Sequence, residues 1–103
     1  MRDLRSAFQF LKVVAFHDMA IPAVRIEKKA LRKVWGYYYA NPPTIEIDSG
    51  IKDGTQLLRV MAHEMCHAVL EQSAACDHHH HDATFQALAE IVCERMGWRV
   101  KGF

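Results

Sequence analysis

Hydrophobic residues recur along this chain with two periods, one helical and one extended. From Thr55 to about Gln72, projection at about 100° per residue gathers Leu57, Leu58, Met61, Ala62, Met65, Cys66, Ala68 and Val69 into one broad apolar face. Gln56, Arg59, His63, Glu64, His67 and Glu71 fall on the opposite side, which is expected to look into solvent or a cleft. Thr55, following Asp53-Gly54, is the expected cap of this helix. A second stripe of Phe85, Leu88, Ala89, Val92 and Met96 predicts another helix, capped by Asp82 and stopped by Gly97. Near the start, Leu4, Phe8, Leu11 and Ala15 predict an amphipathic helix that runs through residue 20 and ends at Ile21-Pro22.

Between these helices the period changes. Thr44-Ile45-Glu46-Ile47-Asp48 alternates polar and apolar, as a half-buried strand does, and Val24 to Glu27 and Lys33 to Tyr39 read as two more extended segments. Asn41-Pro42-Pro43 is a turn that joins the last two tightly. Trp35 and Tyr37 to Tyr39 read as strand packing. The order predicts an α+β fold in one domain over residues 1–103. An N-terminal helix leads into a small three-stranded antiparallel sheet, followed by two helices.

Composition narrows the function. Half of the 103 residues are hydrophobic, which favours a packed globule over disorder. No apolar run approaches the ~18 residues of a membrane span, and the amphipathic start does not read as a secretory signal. Cys66, Cys76 and Cys93 are odd in number and lack paired spacing, so no disulfide framework is expected. Cys66 and Cys93 fall on apolar helix faces as buried thiols, and a reducing, cytoplasmic setting fits best. A monomer is expected. A net charge of +1 carries no global nucleic-acid footprint. Locally, Arg25, Lys28, Lys29, Arg32 and Lys33 face only one carboxylate, Glu27, and form a patch suited to phosphate contacts such as those of DNA. The same charges also suit the solvated side of a turn.

The chemistry is concentrated at His63-Glu64-Met65-Cys66-His67. Four-residue spacing on a helix sets two imidazoles one turn apart, roughly 5–6 Å between Cβ atoms, so both reach one metal ion. Glu64 points about 100° away from His63 around the axis and is free to act on water rather than ligate. A catalytic zinc takes three protein ligands and leaves one position open. The third is sought in Asp77-His78-His79-His80-His81-Asp82, just before the second helix. His81, adjoining the cap, is preferred over His78, His79 and His80. Glu90 and Glu94 compete, but Glu90 projects away from Leu88 and Val92 and so faces water when the stripe faces the core.

With those residues in view, the chain resembles the SprT-like zinc metallopeptidases, the family that includes Spartan, a protease of DNA–protein crosslinks. His63-Glu64-Met65-Cys66-His67-Ala68 matches the family's H-E-hydrophobic-x-H-A. His81-Asp82-Ala83-Thr84-Phe85 matches its H-G-x-x-F, with Asp82 in place of glycine. Gly36-Tyr37-Tyr38 and Ile45-Glu46-Ile47-Asp48 resemble the strands before its active helix. The resemblance covers roughly residues 30 to 98. It implies a zincin-like minimal catalytic core with Zn2+ on His63, His67 and His81 and Glu64 as the catalytic acid/base. No C-x-x-C pairs follow, so the zinc ribbon of some members, and any DNA targeting attributed to it, does not carry over.

The expected activity is that of a zinc metalloendopeptidase acting on a protein or peptide, with Tyr37 or Tyr38 as a conceivable helper. The substrate is expected to add as a strand along an exposed edge at Thr44 to Asp48. Two rivals share these residues: a non-catalytic zinc-binding module contacting DNA or protein, and a metal-dependent nuclease or other hydrolase.

Overall fold

The computed structural model describes residues 4–73 and 83–103. Within them the elements run α1 (Leu4–Val14), β1 (Arg25–Lys29), β2 (Gly36–Ala40), β3 (Pro43–Asp48), α2 (Gly54–Ser73) and α3 (Ala83–Met96). The α+β class is as the pattern predicts, but the sheet is not antiparallel throughout. Its order is β1-β3-β2. β2 and β3 form the expected hairpin, with Gly36 opposite Ile47 and Ala40 opposite Pro43. β1 lies parallel to β3, pairing Arg25 with Thr44 and Lys29 with Asp48. Alternation sets which face a residue takes and is blind to strand direction, so parallel and antiparallel neighbours read alike.

The chain therefore passes from one edge of the sheet to the other across the end of β3. Asp48 makes that crossing possible. Its carboxylate accepts the N–H groups of Leu31 (2.7 Å) and Gly50 (3.0 Å), satisfying amides that no ladder reaches. The Ser49 amide donates to Lys29 O and the Asp48 amide to Trp35 O, both at 2.8 Å. Because β3 is central, both its edges are hydrogen-bonded, and residues 44–48 have none left for an incoming chain. Among the described residues, the unpaired edges belong to β1 and β2.

The helices cover one face of the sheet. Ile45, Ile47 and Tyr38 point into a core completed by Phe8 and Leu11 of α1, Met61 and Met65 of α2, and Phe85 and Val92 of α3. α1 is shorter than its stripe suggests. It ends at Val14, and the turn that follows drives Phe16 into the core. Arg95 of α3 stabilises that ending by donating to Ala15 O (2.9 Å) and holding both carboxylate oxygens of Asp18 (2.8 and 3.0 Å). The guanidinium keeps the Asp18 carboxyl lowered to about 2.

α2 is capped two residues earlier than expected. Its cap is Asp53 rather than Thr55, because the Asp53 carboxylate accepts the Gln56 amide at 2.9 Å. α3 stops at Gly97 as predicted. A φ of +75° there lets the Trp98 amide return to Cys93 O at 2.8 Å. Cys66 and Cys93 are free and buried. Among the described residues no helix is long and apolar enough to cross a membrane.

Candidate metal and catalytic site

α2 sets His63 and His67 on one stripe, with ring centroids 5.1 Å apart and planes at 69°. Imidazole nitrogens suit zinc, and this pair, one helical turn apart, fits two positions of a tetrahedral site. Among the described residues no three His, Cys, Asp or Glu side chains come together as a complete metal site. The expected third ligand, His81, lies outside the described residues, as do His78, His79 and His80 and the Asp82 cap. Glu90 and Glu94 of α3 are exposed, in keeping with the projection that set Glu90 aside.

The polar stripe is not the wet face that projection of a single helix suggests. Glu64 is 6% exposed and His67 4%. Phe85 of α3 packs on both imidazoles, at 5.0 Å from His63 and 4.7 Å from His67. Phe103 approaches His63 from another side at 5.5 Å. The second half of α2 is thus enclosed nearly all round, with the sheet on one flank and α3 and the segment after it on another. His67 Nδ1 is a buried nitrogen with no hydrogen bond of its own among the described residues.

Gly36 controls the approach of the sheet to this helix. A Cβ there would stand 2.7 Å from Val60 Cγ1 and 3.2 Å from both Glu64 Cγ and Glu46 O. Only glycine lets the start of β2 lie this close to the catalytic candidate. Its neighbours alternate accordingly. Tyr38 shares its face and is buried in the core, where desolvation and then the charge of Glu71 raise its phenol pKa. Tyr37 packs against Tyr39 on the outer face, with ring centroids 4.7 Å apart and planes tilted by 57°. Neither tyrosine lines the cleft that His63 opens into.

That cleft has a volume of about 610 Å³. Gln56, Arg59, Val60, His63 and Glu64 form its floor, the 33–36 segment one rim, and Gly102 and Phe103 the other. Trp35, 54% exposed, sits on the rim instead of packing in the sheet as its pattern suggested. Arg59 was legible only as a polar position one turn before His63, and Phe103 carried no signal. The basic segment is divided. Arg25 pairs with Glu27 (3.6 Å) and Lys29 with Glu46 (3.0 Å) on the outer sheet face, while Lys33 joins the cleft rim.

Burial alone pushes the Glu64 carboxyl up to about 8. Cys66, at its back, has its thiol raised by burial first and then by the Cys93 and Glu64 charges. The arrangement supplies two nitrogen donors and a proton-exchanging carboxyl at the edge of an open cleft. The SprT-like family pattern matches residues 4–101, which brings α1 and β1 into a likeness whose motifs reach only from about residue 30. No curated protein sequence matches the chain.

Proposed function

The chain belongs to the SprT-like family, and from that premise we propose that it is a zinc-dependent peptidase. The observation that carries this reading is the pair of α2 imidazoles beside the Glu64 carboxyl at the mouth of the cleft. His63 and His67 would hold the metal, with His81 of the run before α3 as the third ligand. When bound, zinc supplies Lewis acidity, acidifying water toward neutrality and polarising the scissile carbonyl. Glu64 takes the proton of the attacking water on a carboxyl oxygen and hands it to the leaving amine nitrogen. Phe85 restricts the rings of His63 and His67 and keeps water from their flank.

An extended substrate is placed along the outer edge of β2, which no strand pairs among the described residues and which begins at Gly36 against Glu64 and packs on α2. Main-chain hydrogen bonds to that edge would give affinity with little regard to sequence. The proposal is tested by zinc content and cleavage of an unfolded protein. Glu64→Gln should keep stoichiometric zinc and lose cleavage, and His81→Ala should lose zinc. Cleavage that survives Glu64→Gln, or zinc binding without any cleavage by the unaltered chain, would replace the peptidase with another hydrolase or a structural zinc module.

A further inference from the structure

Arg59 stands on α2 one turn before His63, a rise of about 6 Å along the same stripe. Its guanidinium carbon lies 5.3 Å from the Trp98 ring and 5.8 Å from the Phe103 ring. One nitrogen donates to Arg99 O at 3.4 Å. The two aromatic rings fix the charged group from outside the helix, and the glycine at 102, with φ +82°, turns Phe103 into place. No carboxylate among the described residues pairs with Arg59.

The acids sharing the cleft are already committed: Asp53 caps α2 through the Gln56 amide, and Glu64 is walled in against Gly36. A second cation, Lys33, stands on the opposite rim. A guanidinium held by aromatic rings, half-buried and lacking an acid partner, presents its fork of N–H donors ready for a planar anion. We infer that Arg59 is a specificity determinant that receives a carboxylate of the bound peptide beside the His63 end of the cleft, with Trp98 and Phe103 as its positioning residues. The inference rests on the peptidase reading for the nature of the ligand. The carboxylate comes either from a Glu or Asp side chain or from a chain terminus.

The test measures binding and turnover separately. Fluorescently labelled peptides of one sequence carry Glu, Gln or Lys at each scanned position and end in a free acid or an amide. They are titrated by anisotropy against chelator-treated Glu64→Gln protein, and the same peptides are then offered to the zinc-loaded unaltered chain. One Glu peptide should bind about tenfold tighter than its Gln twin. If instead the acid terminus binds tighter than the amide, the source is the chain end. In an Arg59→Gln background that preference should vanish, Arg59→Lys should keep part of it, and Arg59→Glu should turn it toward Lys.

Equal binding of acid and amide forms, side chain and terminus alike, would overturn the inference without recourse to any variant. So would an acid preference that persists in folded Arg59→Gln. Carboxylate preference without cleavage would sink the peptidase and leave Arg59 as an anion-binding residue. Cleavage without the preference would do the reverse.

Discussion

Phe85 lies with its ring 4.7 Å from that of His67 and inclined by 30°, a contact between α3 and α2 that covers one flank of the proposed ligand. The same ring touches His63 at 5.0 Å, so one buried aromatic restricts both imidazoles at once. Phe85→Ala should cost roughly 3–5 kcal/mol in chemical denaturation, through lost burial and the cavity left behind. Phe85→Leu should cost about 1 kcal/mol and still weaken zinc, because a branched aliphatic chain leaves the rings freer to turn. Zinc affinity by competition with a chromogenic chelator reads the second effect. Unchanged affinity in Phe85→Leu would reduce Phe85 to core packing.

Gly36→Ala is expected to act on stability and catalysis together. The new methyl meets Val60 and Glu64 side chains and the Glu46 carbonyl, and the backbone oxygen cannot yield as a side chain can. Overpacking of this kind costs about 1–3 kcal/mol. Because Glu64 is one of the displaced groups, kcat should fall while zinc content stays intact. A variant with full kcat would mean that β2 does not set the position of the carboxyl.

Stability of the chelator-treated protein should depend on Glu64. The folded carboxyl titrates near 8 against an ordinary 4.5, so between those values the native state binds a proton that the unfolded chain has released. Stability is then full below about pH 4.5, falls as pH rises, and is lowest once pH passes 8. Glu64→Gln removes this dependence and should be the more stable protein at pH 8, by on the order of several kcal/mol. Parallel melting curves of the two proteins across pH decide it. A constant offset between them would refute the buried titration.

Cys66 and Cys93 should resist modification in the native state. Both thiols are buried, with burial raising each pKa, so little thiolate is present at neutral pH. In a Cys76→Ser background, a colorimetric thiol reagent should label neither until denaturant is added. Rapid labelling of the folded protein would show that the α2–α3 contact opens readily.

The legibility of this fold follows the range of the interactions involved. The α2 and α3 stripes and the Gly97 stop are local patterns, and the structure reproduces them with the cap moved from Thr55 to Asp53. β3 forms where its alternation predicts, but Thr44 and Glu46 are buried with Ile45 and Ile47, so the strand is covered on both faces and not half-buried. The parallel pairing of β1 with β3 was hidden because alternation is the same in either direction. The early end of α1 is fastened by Arg95, a contact that no pattern within residues 4–20 could reveal. His63, Glu64 and His67 stood out by spacing alone. Their enclosure did not, since it comes from Phe85 and Phe103, both remote in sequence. Arg59 likewise gains its partners from Trp98, Arg99 and Phe103. The expectation for His81 falls outside the described residues.

Asp48 fastens both feet of the span between β1 and β2. Its side chain takes the Leu31 amide at one end, and its own amide reaches Trp35 at the other. The span behaves as an arch on fixed abutments, with Arg32, Lys33 and Val34 at its crown. Crown residues can change in size or charge without loosening either abutment or shifting the helix below. Selectivity of the proposed peptidase can thus drift in that stretch while His63, Glu64 and His67 keep their places.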